Sequence, residues 1–288
     1  MSTALPDATL RSPGRRGLLA GTGWSMRVGL AGILLLALAA ALAPFLLPYD
    51  PVKLNLAGGL QAPSLAHWFG TDQLGRDVLT RVVYGARIDL QIGAIGVAVP
   101  LAIGLVFGLL AAYLGGWVDA LIGRLIDIVI AFPFLVLVIA IVAMLGPGLV
   151  NLYIAISLVS WVLYARIVRG EVLALRSREY VLAARSLGFG TGRIMFRHIL
   201  PNAIAPAFVF AMSDFVLDVQ LGATLSFFGL GVQAPTPEWG LMIAESRNLM
   251  FTAPWTVLFP GLAIIVVSFF VSLIGDGLAD QVRGVGRG

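Results

Sequence analysis

The sequence predicts an all-α membrane protein with six transmembrane helices. Of its 288 residues, 59% are hydrophobic and 12% are charged, whereas about a quarter of the residues are charged in ordinary soluble domains. Six apolar runs reach the roughly 20 residues that a helix needs to cross a hydrocarbon core. A transmembrane β-strand would alternate apolar and polar positions, but the segment 126–145 is almost continuously apolar. These observations favour a helical bundle.

The apolar runs set the order of the predicted spans. The first run is longer than the roughly 7–15 apolar residues of a signal peptide, so we expect it to remain as an uncleaved helix. Gly104 and Gly108 form a GxxxG pair, which indicates close helix packing. Pro133 is expected to kink the third span, because proline removes a backbone hydrogen bond. The spans cover approximately residues 27–47, 90–114, 126–145, 149–167, 203–229 and 256–275.

The distribution of arginine predicts the orientation of the chain. Residues 1–25 form a basic arm, and the segment 166–198 contains many arginines but two glutamates. The positive-inside rule places both segments in the cytoplasm. Six spans then put both termini on that side, and the loops 48–86 and 230–255 become external. Residues 281–288 are the expected cytoplasmic tail.

Two carboxylates lie inside the fifth predicted span. Asp214 and Asp218 are four residues apart, so they share one face of a helix. Ionisable side chains within a membrane rarely face lipid. The pair is therefore expected to face a water-filled passage, a partner helix or polar groups of the protein, and it is a candidate for a translocation path. Asp127 lies near the start of the third span, where an interfacial position is expected.

The polar stretch 179–202, EYVLAARSLGFGTGRIMFRHILPN, separates two apolar runs. An apolar stripe at the i, i+3, i+4 and i+7 positions of a helix is formed by Tyr180, Ala183, Ala184 and Leu187. Glu179 and Arg185 occupy other faces, and Gly188 follows. Such a narrow stripe of small residues fits either a protein cleft or the lipid headgroups.

Several classes of chemistry are excluded by missing residues. The chain has no cysteine, so it has no thiolate chemistry or cysteine-ligated metal. Its lysine, Lys53, does not stand in the GxxxxGK[ST] pattern of an ATP-binding loop. Its two histidines, His67 and His198, are predicted on opposite sides of the membrane, which argues against a hydrolytic triad. We therefore expect no catalysis, no cofactor, no metal and no nucleic-acid partner for this chain.

Several motifs resemble the permease subunits of bacterial ABC importers of the dipeptide, oligopeptide and nickel group. AARSLG, followed by Pro201 in HILPN, is similar to the coupling loop of these permeases. GTDQLGRDVLTRVVYGAR, LSFFGLGVQAPTPEWG and IGDGLAD match in the same order, from about Trp68 to Asp280. Leu182 departs from the pattern, because the founding motif has a glutamate there. Gly222 also departs, since an acidic residue is common before LSF.

The resemblance implies a type I ABC importer (MetI-like) permease fold in the bacterial inner membrane, with an additional N-terminal helix. It implies a region 26–86 with the first helix and a long external loop, and a permease core over 87–280. The implied partners are a second homologous permease, two cytoplasmic ATPase subunits that bind ATP-Mg, and an external substrate-binding protein. A coupling helix at about 179–190 would contact the ATPase through Glu179, Tyr180, Ala183, Ala184, Arg185, Leu187 and Gly188.

Two other functions share part of this pattern. A nickel or metal-chelate importer has the same motifs. An ion-coupled secondary transporter could use Asp127, Asp214 and Asp218 as a proton relay. The main prediction remains a permease subunit that forms half of the pathway for di- and oligopeptides.

Overall fold

The computed structural model describes residues 23–285, and side chains from residue 23 to residue 282. The predicted arm before residue 23 and the last three residues of the tail lie outside this range. A π-helical turn, Met195–Ile199, joins two of the helices without a break. In chain order the helices are α1 (Trp24–Leu46), α2 (Val78–Leu114), α3 (Gly116–Ile130), α4 (Phe134–Leu145), α5 (Leu149–Leu175), α6 (Glu179–Ser186), α7 (Thr191–Ile194), α8 (Leu200–Phe227), α9 (Trp239–Ser246) and α10 (Trp255–Val285).

Six membrane spans are present if one bent pair counts as a single span. Five are α1, α2, α5, the continuous α7–α8 unit and α10, and the sixth is the pair α3–α4. The predicted kink at Pro133 is confirmed, since the chain turns by 88° between α3 and α4, but the predicted start at residue 126 is wrong, because α3 begins at Gly116. Proline disfavours helical geometry in the residue before it, and Pro133 itself is extended, with ψ of 125°. The predicted number of spans and the all-α fold are confirmed.

The second span begins twelve residues earlier than predicted. Asp77 caps α2, because its carboxylate accepts hydrogen bonds from the Thr80 backbone N–H and hydroxyl, both at 2.8 Å. With 37 residues, α2 is about 55 Å long at 1.5 Å per residue. This exceeds the roughly 30 Å of a hydrocarbon core, so α2 extends beyond the membrane.

The centre of the bundle is the packing of α2 against α5 and α8. Gly104 and Gly108 face α5, as the GxxxG pair predicts. A Cβ atom added at Gly108 would lie 2.6 Å from the carbonyl oxygen of Ala165, and one at Gly104 would collide with Tyr164. Glycine is required at both positions because the two backbones approach so closely.

The first helix is fixed to the core by an arginine. Pro44 lies inside α1 and lacks the N–H that would bind the carbonyl of Ala40. The Arg87 guanidinium of α2 donates instead, from Nε to the Ala40 oxygen at 2.6 Å and from Nη2 to the Ala41 oxygen at 3.0 Å. Gly29 and Gly32 allow the other side of α1 to approach α10 at Ile274 and Phe270.

The two ends of the bundle have different contents. At the end that we call the α9 end, the loop 47–77 contacts α9, where Arg76 Nη2 donates to Glu245 at 2.8 Å, and the start of α10, where Trp255 Nε1 donates to the Thr71 carbonyl at 3.1 Å. The opposite end, called the α6 end, contains α6 and the turn at Gly115. The start of α1 and the end of α10 also meet there, where the Gln281 amide lies 3.5 Å from the Met26 sulfur.

Candidate coupling surface and intramembrane carboxyl pair

The short helix α6 is held by one packed face. Val181 and Ala184 are buried, and they join the apolar cluster that includes Val172 of α5, Ile194 of α7 and Ile199 of the π-helical turn. The spacing of three residues puts Val181 and Ala184 on the same side of a helix. An eight-residue helix is too short to be stable alone, so this packing fixes its position.

The rest of α6 exposes apolar side chains. The exposed fractions are 42% for Tyr180, 46% for Leu182 and 73% for Leu187. Glu179, Ala183 and Arg185 are also exposed. A contiguous exposed apolar area is typical of a surface that binds another molecule.

The structure divides the stripe that the sequence pattern predicts. Tyr180, Ala183 and Leu187 lie on the exposed side, whereas Ala184 lies on the packed side. Ala184 therefore positions α6 rather than presenting a surface to a partner. Sequence reasoning did not identify Val181, although its spacing from Ala184 is a signal for the packed face.

A tight turn follows α6 at Gly188. Its φ angle is +74°, a value that glycine adopts at little cost. The turn is closed by the Phe189 N–H, which donates to the Ala184 carbonyl at 3.2 Å, and by the Gly188 N–H, which donates to the Arg185 carbonyl at 3.0 Å. A Cβ atom added at Gly188 would meet no other group within 4 Å, so this position faces open space.

An open groove lies beside the start of α6. Its volume is about 700 Å³. Both polar and apolar groups line it, and Tyr180 contributes an exposed aromatic ring to its wall. The lining residues are Leu175, Ser177, Arg178, Glu179, Tyr180 and Asn202.

Two polar contacts fix the helices that surround α6. Arg169 of α5 makes a bidentate ion pair with Asp119 of α3, with N–O distances of 2.5 and 2.8 Å. Arg176 donates to the carbonyl of Ala112 near the end of α2, at 3.3 Å. The α6 end is thereby connected to three spans by a small number of polar contacts.

The two predicted intramembrane carboxylates are buried between α2, α5 and α8. The exposed fractions of Asp214 and Asp218 are 4% and 1%. The Tyr164 hydroxyl of α5 donates to Asp214 Oδ2 at 2.7 Å. The sequence left three environments open for Asp214: a water-filled passage, a partner helix or polar groups of the protein. The structure shows the third, because Asp214 is bonded to the Tyr164 hydroxyl.

Asp218 lies one turn further along α8 and has a different environment. It packs against Gly96 of α2, where any larger side chain would collide with its carboxyl group. Its Oδ2 atom is buried without a hydrogen-bond partner. Asp127 is exposed on α3, so it does not share the buried setting of this pair. Within residues 23–282, no three histidine, aspartate or glutamate side chains are arranged to hold a metal ion.

Comparison with known proteins identifies relatives over most of the chain. The family model described as binding-protein-dependent transport system inner membrane component matches residues 104–284. The dipeptide transport system permease protein DppC of Alkalihalophilus pseudofirmus is 49% identical over 88% of this chain and 84% of that protein. The glutathione transport system permease protein GsiD of Pectobacterium atrosepticum is 42% identical over 90% of this chain and 86% of that protein.

Solved structures share the fold. An inward-facing form of the MetNI methionine ABC transporter superposes with a TM-score of 0.55 and 19% identity, over 71% of this chain and 96% of that chain. An amino acid ABC transporter chain superposes with a TM-score of 0.51 and 17% identity, over 71% and 94% of the two chains. The predicted type I importer permease fold is confirmed, and the chain belongs to the family of binding-protein-dependent transport system inner membrane components.

Proposed function

We propose that this chain is the membrane-spanning subunit of an ATP-driven importer for di- and oligopeptides, and that it forms half of the pathway with a second, homologous permease. The relatives support this substrate class, because one is named for dipeptides and another for glutathione, which is a tripeptide. ATP-Mg is bound and hydrolysed by two partner ATPase subunits, and this chain carries out no catalysis.

The exposed apolar side of α6 is the observation that supports coupling. Tyr180, Ala183 and Leu187 form the docking surface, with Glu179 and Arg185 at its edge. Val181 and Ala184 transmit a movement of α6 to α5 and α7, because they pack directly against those helices. Gly188 lets the chain turn away after the docking surface.

The arginines near α6 support a cytoplasmic position for this end of the bundle. Both chain termini are then cytoplasmic, and the protein lies in the bacterial inner membrane. The α9 end faces outward, where an external substrate-binding protein delivers the peptide. Asp214 and Asp218 act on the pathway from within the subunit, since they fix α8 against α5 and α2.

Two matched leucine substitutions test the docking role. Leu187 and Leu65 are both exposed, at 73% and 97%, but they lie at opposite ends of the bundle. Leu187→Asp should reduce the amount of ATPase subunit that copurifies with the assembled complex by about tenfold, because a carboxylate in an apolar contact is strongly unfavourable. Leu65→Asp should leave copurification unchanged.

Uptake by right-side-out membrane vesicles loaded with ATP tests the substrate. A radiolabelled dipeptide should accumulate only when ATP and the binding protein are both present. Leu187→Asp should abolish this uptake. In the control, Leu65→Asp, the ATPase subunit should remain bound to the complex. Normal copurification with Leu187→Asp contradicts the docking role. Accumulation of nickel without any dipeptide uptake contradicts the peptide assignment, and uptake driven by a proton gradient without ATP contradicts the importer class.

A further inference from the structure

The start of α9 packs between α2 and α8 at the α9 end of the bundle. Trp239 is 1% exposed, and its indole N–H donates to the Val82 carbonyl of α2 at 2.9 Å. Gly85 of α2 leaves room for the indole, and Gly240 lies directly against the Ala223 backbone of α8. The position of α9 therefore depends on the groups buried at this junction.

Two carboxyl groups meet at the junction. Asp89 of α2 and Glu238, the residue before α9, are both 0% exposed. They bind consecutive N–H groups at the start of α9, Asp89 that of Trp239 and Glu238 those of Gly240 and Leu241, so the two carboxyl groups lie side by side. A hydrogen bond between two carboxyl groups needs a proton, because ionised carboxylates only accept.

The hydrogen-bond donors around the pair are distributed unequally. Glu238 Oε1 accepts from the Gly240 N–H at 2.8 Å, and Oε2 accepts from the Leu241 N–H at 2.7 Å. By contrast, Asp89 Oδ2 accepts one N–H, from Trp239 at 3.2 Å, and Asp89 Oδ1 has no donor.

The charges around the junction do not supply a positive partner. The other titratable group at the junction is the Tyr153 phenol of α5, on which Asp89 acts. Among the residues that the structure describes, no lysine or arginine contributes to this set, and the Tyr153 hydroxyl is itself buried without a partner. Burial raises the pKa of the Glu238 carboxyl, and the donors from Leu241 and Gly240 act in the opposite direction.

We infer that Asp89 and Glu238 form a proton-binding site, in which one proton is carried on Asp89 Oδ1 and donated to the Glu238 carboxylate. Glu238 is the charged member because two N–H donors, one on each oxygen, stabilise its anion. Asp89 is the neutral member because its free oxygen is the one place where a proton gains an acceptor. Two adjacent buried carboxylates without this proton would repel each other in a medium of low dielectric constant.

The site links the seating of α9 to proton concentration. When α9 leaves the bundle, both carboxyl groups reach water and return to ordinary carboxylate behaviour, so the proton is released. Below the ordinary carboxyl pKa, the site binds the same number of protons whether α9 is packed in the bundle (seated) or detached from it (released). Above that pKa, the seated state binds more protons than the released state. The seated state is therefore weakened as the pH rises, by about a factor of ten per pH unit while one proton is released.

A buried reporter thiol measures this equilibrium in the assembled complex. The chain has no cysteine, so Met242→Cys, at a position 4% exposed on α9, introduces a single protected thiol. Phe251→Cys, at a position 91% exposed at the same end, is the matched control for the intrinsic pH dependence of thiol labelling. Complexes in lipid nanodiscs receive short maleimide pulses between about pH 6 and 9, and labelling of this chain is read by mass.

The ratio of labelling at Met242→Cys to labelling at Phe251→Cys should rise with pH by up to about tenfold per unit. Adding Asp89→Asn should remove this rise, because the asparagine N–H replaces the O–H and has no proton to release. Adding Glu238→Gln should raise the labelling ratio already at pH 6. The glutamine side chain has a single acceptor oxygen, so it cannot accept from both the Gly240 and the Leu241 N–H groups as the carboxylate does.

Three outcomes overturn the inference. The first is a labelling ratio of Met242→Cys to Phe251→Cys that does not change with pH. This measurement does not depend on the folding of either carboxyl variant. The second is a rise that persists with Asp89→Asn, which would show that the proton is not carried there. The third is a rise in the labelling ratio when sodium is replaced by choline at constant pH. This result would show that a sodium ion, rather than a proton, binds between the two carboxylates.

Discussion

The α9 end and the α6 end of this bundle are held together by different kinds of contact. At the α9 end, Arg76 and Arg81 are 2% and 1% exposed and bind Asp72 and Glu245, with Arg76 distances of 2.6 and 2.8 Å. At the α6 end, the ion pair of Arg169 with Asp119 is partly exposed, at 36% and 25% of the two side chains. The first end is a buried polar network, and the second is an apolar contact with polar connections at its edge.

The difference shows how each end can serve a separate role. Buried charges are tolerated only when their partners are in place, so the α9 end has one arrangement and keeps the long loop fixed against α9. Apolar contacts have no preferred direction, so α6 can keep a packed face while a second apolar face stays exposed for a partner. Three substitutions test this contrast, in order of decreasing expected effect.

The largest effect is expected for Arg76→Ala. The change leaves Asp72 and Glu245 with Arg81 alone, at the longer distances of 3.7 and 3.3 Å, and removing one partner of a buried ion pair costs about 3–5 kcal/mol. Thermal unfolding of the purified subunit, followed by intrinsic tryptophan fluorescence, should show a clear decrease in Tm. Arg178→Ala at the α6 end is the control, because this arginine is exposed, and its Tm should be nearly unchanged. Equal shifts for the two variants would remove the contrast between the ends.

An intermediate effect is expected for Arg87→Met. The methionine fills a similar volume, but the Ala40 carbonyl loses a part-buried charge-assisted hydrogen bond worth about 1.5–3 kcal/mol, and the bond to Ala41, which is exposed to solvent, contributes less. We expect α1 to loosen while the core stays folded, so limited proteolysis should release the first helix sooner at an unchanged core Tm. Arg124→Met, at an exposed position of α3, should leave the proteolysis pattern as it is. Unaltered release of α1 from Arg87→Met would mean that glycine packing against α10 is sufficient.

The smallest effect is expected for Asp119→Asn. The pair with Arg169 is accessible to solvent, and such pairs contribute about 0.2–1 kcal/mol. Chemical denaturation should show a shift within this range, and the shift should shrink further at high salt because screening weakens exposed pairs. A loss comparable to that of Arg76→Ala would show that the two ends are held in the same way.

The sequence was sufficient for the number of spans because hydropathy over about 20 residues depends little on the neighbours of a helix. It was insufficient for the start of α2, because Arg81, Arg87 and Asp89 interrupt the apolar pattern although they belong to the helix. Their partners lie in α1, in the segment near α9 and at Glu245, and nothing local indicates them. The 88° angle between α3 and α4 was not predictable for a similar reason, since a proline shows where a helix is interrupted but not the angle that packing imposes.

The same limit applies to the candidate coupling surface. A helical stripe that contains alanine fits both a packed and an exposed face, so the pattern could not separate Ala184 from Ala183. The separation depends on Ile194 and Ile199, which reach Val181 and Ala184 only because the chain turns back at Gly188. The two carboxylates of α8 were correctly placed on one face, but their contacts with Tyr164 and Gly96 come from helices distant in the sequence.

The attachment of α1 through Arg87 bears on how such a helix can be acquired. The guanidinium binds main-chain oxygens that Pro44 leaves free, and main-chain oxygens are the same whatever side chains surround them. The core therefore requires of this helix a proline at the correct depth, small residues where it crosses α10, and the apolar side chains Ile33 and Leu36 that pack on the core. Positions of α1 that face away from the core, such as Leu34 and Leu35, can therefore change to other apolar residues without loss of this attachment.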